Sequence, residues 1–170
     1  MTGLPAALGG GDGLVVWRLD QQIRAATWDS GEGAFREGGR WNSKGIRAVY
    51  CSLDPATATM EVAVHKGFRA LDTVAHVITA ARIADIAEVH VVQRGDVPNP
   101  NWLRPGALSA GQQAFGDDLL RHHRFIAIPS AVSAYSWNLI FDPLKAKGFY
   151  RIELQEPFAL DTRLHPAGSP

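Results

Sequence analysis

The chain has 170 residues, 46% of them hydrophobic and 20% charged, which is enough for one compact domain with a sizeable core and argues against wholesale disorder. Its 17 Lys and Arg balance 17 Asp and Glu, and the balance holds locally: residues 1–85 carry 9 basic and 9 acidic side chains, residues 86–170 carry 8 of each. A polybasic arm for nucleic acid or a membrane-surface patch is therefore disfavoured, and neither direct nucleic-acid binding nor membrane association is expected.

No apolar run approaches the roughly 20 residues of a membrane-spanning helix. The start, MTGLPAALGGGDG, has no basic residue ahead of its short apolar piece, unlike a secretory signal, so export is not expected. The single Cys51 excludes an intramolecular disulfide and a multi-cysteine zinc site, and it fits a reducing cytoplasm.

In chain order, residues 1–13 are rich in glycine and small side chains and read as a tail. LVVWRL (14–19) is the first strand candidate. A longer irregular stretch follows, in which Ser30-Gly31-Glu32-Gly33 and Gly38-Gly39-Arg40-Trp41-Asn42 set glycines beside polar and aromatic groups. RAVYCSL (47–53) reads as a second strand ended by Asp54-Pro55. Asp is a good N-cap and proline suits the first helical position, so PATATMEVAVHK (55–66) reads as a helix closed by Gly67. On it Met60 and Val64, one turn apart, are expected to face the core, with Thr57, Glu61 and His65 as a more polar row.

Residues 73–82 and VHVVQ (89–93) read as further strands. Asn99, Pro100 and Pro105-Gly106 mark a loop, and SAGQQAFGDDLLRHHR (109–124) has a helical pattern weakened by Gly116. Phe125 to Ile128 is a short buried strand that stops at Pro129-Ser130, and FYRIEL (149–154) is the last clear strand; residues 165–170 form a second tail. With many strands, few helices and no strict alternation, the expected class is α+β: a single compact domain over 14–164, with mixed, mainly antiparallel sheets and flanking helices.

Several residues could carry chemistry, and each has an ordinary structural use beside it. Arg40, in a glycine-flanked loop, can grip a phosphate or carboxylate with two parallel hydrogen bonds, or form a surface ion pair. Glu61 can be a catalytic carboxylate or a solvated helix residue. Tyr50 can recognise a ligand or pack, and Ser130 can be a turn residue. Glu61 and His65 have the spacing of two helix-face metal ligands but lack an evident third, so no metal is expected. The glycine-rich pieces lack the full phosphate-loop or dinucleotide-binding pattern, and no nucleophile elbow surrounds Ser130.

The run SGEGAFREGGRWNSKGIRAVYCSLDPATATMEVAVH (30–65) resembles the signature region of the RES domain, the toxin half of RES-Xre toxin-antitoxin pairs. That family is named for an arginine, a glutamate and a serine, and Arg40, Glu61 and Ser130 occupy the matching places; Tyr50 matches its tyrosine. Downstream, WLRPGALSAGQQAFGDDLL, FIAIPSAVS, WNLIFDP and EPFALDTRL resemble later blocks in the same order, so the resemblance covers about residues 14–164. The chain departs from the family at Asp142-Pro143-Leu144, where an Asn-Pro-x-His type ending is common, and at Phe35, where a basic residue is frequent.

The resemblance implies an ADP-ribosyltransferase-like fold that uses NAD+ as substrate and breaks the bond between nicotinamide and ribose, passing ADP-ribose to a protein target or to water or phosphate. It implies that Glu61 stabilises the oxocarbenium-like state, that Arg40 holds the pyrophosphate or a ribose hydroxyl, and that Tyr50 stacks on the nicotinamide ring. Ser130 would orient the ribose or its carboxylate partner, Arg18 would be a second phosphate ligand, and Asn42 and Asn138 would be pocket donors. A cognate Xre-like antitoxin is the implied partner. The alternative is a catalytically quiet module that keeps the pocket to bind a nucleotide or a partner; the intact set of four residues weighs against it, because binding alone has less need of the carboxylate.

Overall fold

The computed structural model describes residues 13–104 and 108–164; the two tails, apart from Gly13, and the Pro105-Gly106 pair lie outside them. Seven strands are hydrogen-bonded into one sheet: β1 (Leu14–Gln21), β2 (Val49–Ser52), β3 (His76–Ile83), β4 (Val89–Val91), β5 (Phe125–Pro129), β6 (Trp137–Phe141) and β7 (Tyr150–Phe158). Their order is β4-β5-β6-β2-β1-β3-β7. Only β4 and β5 run parallel; every other pairing is antiparallel. The α+β, mainly antiparallel expectation thus holds, with one continuous sheet rather than several.

That sheet is uneven along its width. β1 and β3 are in register over their whole lengths, whereas β1 meets β2 at a single pair, Trp17 opposite Ser52. The strands part on either side of that pair, which leaves a seam between a β4-β5-β6-β2 half and a β1-β3-β7 half.

Period-two alternation divides the core between the two faces of the first half. Phe125, Ala127, Leu139, Phe141, Val49 and Cys51 pack on one side with Trp28. Ile126, Ile128 and Ile140 pack on the other, with Trp41, Trp102, Leu119 and Leu120 over them and Tyr50 against them. Cys51 belongs to this packing: burial pushes its thiol up to about 12, so it stays protonated and unreactive.

Among the described residues five α-helices flank the sheet: α1 (Glu32–Glu37), α2 (Pro55–Lys66), α3 (Phe68–Thr73), α4 (Ala110–His122) and α5 (Pro143–Ala146). The caps of α2 are as the sequence predicts: the Asp54 carboxylate accepts from the Thr57 backbone at 2.8 Å and from its hydroxyl at 2.6 Å, Pro55 takes the first position and Gly67 the C-cap. Its orientation is the reverse of the prediction. Thr57, Ala58 and Ala63 are buried, while Met60 and Val64 are 41% and 61% exposed. The small alanines let α2 lie close on β1, and this turns the row of Thr57 and Glu61 inward.

Other boundaries also differ. Residues 68–73 are helical, so β3 begins at His76 rather than Thr73, and α1 forms within the stretch expected to be irregular. β6 was not expected as a strand; it lies at the centre of the sheet between β5 and β2, with Leu139 and Ile140 fully buried. Among the described residues no helix is long and apolar enough to cross a membrane.

Candidate active site

The ends of three neighbouring strands converge beside α2. Ser130 follows the last residue of β5, Asn138 is the second residue of β6, and Ser52 closes β2 directly opposite Asn138. Glu61 reaches this corner from the inward face of α2. Its Oε1 accepts the Ser130 hydroxyl at 2.8 Å and the Asn138 amide at 2.6 Å. Ser52 donates to the other end of that amide, the Asn138 Oδ1, at 2.8 Å. Among the described residues no donor reaches Glu61 Oε2, and no cation pairs with the carboxylate.

Ser130 is fully buried, and its oxygen also accepts from the backbone N–H groups of Val132 at 3.1 Å and Ser133 at 3.3 Å. With its single proton given to Glu61, its hydroxyl is fully engaged by the protein. The geometry therefore places Ser130 behind the carboxylate, as a brace for it.

Arg40 sits in a tight turn closed by the Gly39 N–H to Asn42 carbonyl bond of 2.9 Å. Tyr50, pointing up from β2, holds that turn: its hydroxyl accepts from the Trp41 N–H at 3.1 Å and donates to Asn42 Oδ1 at 2.6 Å. Gly39 has to be a glycine here, since a Cβ would stand 2.6 Å from the Tyr50 oxygen. Burial pushes the Tyr50 phenol well above its ordinary range; among nearby charges Arg40 opposes the rise, while Asp117 and Glu61 add to it.

Helix α4 supports the same turn from outside. Gln113 Nε2 donates to the Gly39 carbonyl at 2.9 Å and the Asp117 carboxylate accepts the Ser43 N–H at 2.9 Å. Between them on the same helix face is Gly116, where a Cβ would stand 1.9 Å from the Trp41 carbonyl oxygen. The glycine that weakens the helical pattern in the sequence is the point where the Arg40 segment rests on the helix. So held, Arg40 gives one nitrogen, Nη1, to the Trp102 carbonyl at 2.6 Å. Among the described residues its Nε and Nη2 carry no hydrogen bond, and no carboxylate pairs with it.

The remaining sequence candidates divide. Asn138 joins Glu61. Asn42 is completely buried, its amide nitrogen donating to the carbonyls of Ala34, Ser43 and Ile46 and its oxygen accepting from the Tyr50 hydroxyl, so its side chain is spent on holding the turn. Arg18 donates to the Tyr50 carbonyl at 2.7 Å across the seam and pairs with Asp20 at 3.0 Å, and no bond links it to Glu61 or Arg40. Ser52, Gln113, Gly116 and Asp117 were not anticipated as parts of the site. For Ser52 a signal existed, since it lies two residues from Tyr50 on the same strand face. Among the described residues no group of three or more His, Cys, Asp or Glu could hold a metal ion.

Comparison with known proteins finds relatives of the chain as a whole. The family model described as RES domain matches residues 15–164. The chain is 28% identical over 160 residues to "Toxin Res" of Photorhabdus laumondii, covering 89% of this chain and 97% of that protein. It is 29% identical over 135 residues to the "Prs ADP-ribosylating toxin" of a Sphingobium species, covering 75% of this chain and 81% of that one. A chain of the M. tuberculosis MbcT-MbcA toxin-antitoxin complex shares the fold, with a TM-score of 0.70, 19% identity, and coverage of 86% of this chain and 85% of that chain.

Proposed function

The chain belongs to the RES domain family, and from that premise we propose that it is the toxin of a toxin-antitoxin pair, a cytoplasmic enzyme with an ADP-ribosyltransferase-like fold that cleaves NAD+ between nicotinamide and ribose. The ADP-ribose passes to a protein target or to water or phosphate, which arrests growth by modification or by depletion of NAD+. A cognate Xre-like antitoxin is the partner that holds it silent. The names of the two relatives, "Toxin Res" and "Prs ADP-ribosylating toxin", support this reading.

The observation that carries it is the state of Glu61: a carboxylate fixed through Oε1 by Ser130 and Asn138, with no donor on Oε2 and no cation paired to it among the described residues. As the glycosidic bond breaks, its electron pair leaves with the nicotinamide nitrogen, which becomes neutral and needs no proton, and positive charge develops on the ribose. A carboxylate already oriented stabilises that charge without reorganising at the moment of reaction. Arg40, with two nitrogens unengaged and no carboxylate paired to it among the described residues, holds the pyrophosphate or a ribose hydroxyl and fixes the bond to be broken. Tyr50 offers its ring to the nicotinamide, because its hydroxyl is committed to the turn. Arg18 is a secondary phosphate ligand through the part of its guanidinium that stays accessible.

Incubating the purified, antitoxin-free protein with NAD+, with and without phosphate and with a cell lysate, tests the proposal. Release of nicotinamide that depends on Glu61 is the expected result, and the destination of labelled ADP-ribose then identifies the acceptor. No release from protein shown to be folded would overturn the reading in favour of a binding module.

A further inference from the structure

We propose that Ser52 and Asn138 are positioning residues that decide which oxygen of Glu61 meets the substrate; the proposal rests on the reading of Glu61 as the carboxylate of NAD+ cleavage. Ser52 and Asn138 face each other across β2 and β6, and both are buried. Neither is assigned by the family's three-letter signature.

A buried asparagine amide can sit in two orientations of nearly equal shape, so its neighbours must choose between them. On one side of Asn138 is a carboxylate, which only accepts; on the other is the Ser52 hydroxyl, which donates to Oδ1 at 2.8 Å. Turned over, the amide would set its oxygen 2.6 Å from Glu61 Oε1, two acceptors in contact with no proton between them. The carboxylate therefore sets the orientation, and the Ser52 hydroxyl, which can donate or accept, anchors the amide in it by giving its proton to Oδ1.

The consequence falls on the carboxylate. Ser130 comes from the end of β5 and Asn138 from β6, and both donate to the same oxygen. Two donors converging on Oε1 from adjacent strands oppose rotation of the carboxylate, so Oε2 is the atom presented to the ribose. Ser52 touches no reacting atom and acts through Asn138. It also stands at the one register pair between β1 and β2, opposite Trp17.

The test has two arms. In the first, the side-chain amide resonances of Asn138 are followed by 1H–15N correlation spectra of the full chain without substrate, in wild type, Ser52→Ala and Glu61→Gln. Displacement of the Asn138 pair by both substitutions, with the rest of the spectrum preserved, is expected; an unmoved pair in Ser52→Ala overturns the proposal. The second arm is steady-state nicotinamide release. Ser52→Ala should lower kcat about tenfold at unchanged KM, as the loss of one orienting hydrogen bond implies, and Asn138→Ala about a hundredfold. The double variant should be no slower than Asn138→Ala alone, because Ser52 has no route to Glu61 except that amide. Multiplying losses, or a rise in KM with kcat unchanged, overturns it. Wild-type protein that releases no nicotinamide would refute the cleavage reading, and the spectra would still decide whether Ser52 orients Asn138.

Discussion

Two charged clusters on this domain differ in what the fold leaves open. Near the β4 edge, Glu88, Arg121, His122, His123, Arg124 and Lys145 line a depression of about 280 Å3. There the charges answer one another. Arg124 pairs with Glu88, donates to the Lys145 carbonyl at 3.1 Å and lies over the Phe149 ring at 3.5 Å from its centre. The Lys145 ammonium donates to the Leu120 and Arg121 carbonyls at the end of α4, the place where a cation suits a helix. Beside the seam there are fewer charges, yet among the described residues Glu61 keeps an oxygen and Arg40 two nitrogens without partners. Density of charge therefore marks a structural joint in the one place, and unsatisfied hydrogen-bonding capacity marks a candidate site in the other.

The contrast can be broken by substitution. Glu61→Gln keeps an acceptor for Ser130 and Asn138 while removing the charge, so nicotinamide release should fall about a thousandfold with the melting temperature little changed; turnover near that of wild type would remove Glu61 from its role. Arg40→Lys should cost about a hundredfold in kcat/KM, because an ammonium cannot serve the Trp102 carbonyl and still present a planar fork; unaltered kinetics would count against Arg40 as the anchor. Gly116→Ala drives a methyl into the Trp41 carbonyl, and denaturant titration should show about 3 kcal/mol of lost stability together with reduced turnover, since the Arg40 turn rests there. Retained stability would mean that α4 is not the support described.

On the other side of the comparison, Arg121→Ala in the depression should change stability by no more than about 0.5 kcal/mol and leave turnover as it was. The smallest effect concerns His123. Burial first, then the neighbouring His90, His122 and Lys145, hold its imidazole below the ordinary 6.5, with Asp118 opposing. The unfolded chain therefore binds the proton more readily, and stability should decline as pH falls below about 6.5 toward the lowered folded value. His123→Asn should flatten that decline in thermal melts across the same range, and an unchanged slope would assign it to other groups.

Much of the fold was legible because local chemistry wrote it. Asp54, Pro55 and Gly67 mark α2, and six strands fall near where β-branched and aromatic runs placed them. Features that depend on tertiary contact were harder to read. The faces of PATATMEVAVHK differ little in polarity, so which one turns inward is decided by the close approach of Ala58 and Ala63 and by the partners waiting for Glu61. FRALDT is too short to show a helical period, and only its last residue, Thr73, fell within the strand expected after it. In the candidate site, Arg40, Tyr50, Glu61 and Ser130 were legible through the order of sequence blocks. Ser52 and Gly116 were not: a shared strand face with Tyr50 is a weak signal for a serine until its cross-strand partner is known, and a glycine in a helix reads as a weakness until the carbonyl that needs its space is seen.

The account stands most directly on the claim that the unengaged groups of Arg40 and Glu61 divide binding from cleavage. Titrating NAD+ into Glu61→Gln by calorimetry, while following nicotinamide, measures both at once. Saturable binding without release, lost when Arg40→Ala is added, is the predicted result. Cleavage at the wild-type rate, or binding indifferent to Arg40→Ala, would contradict it.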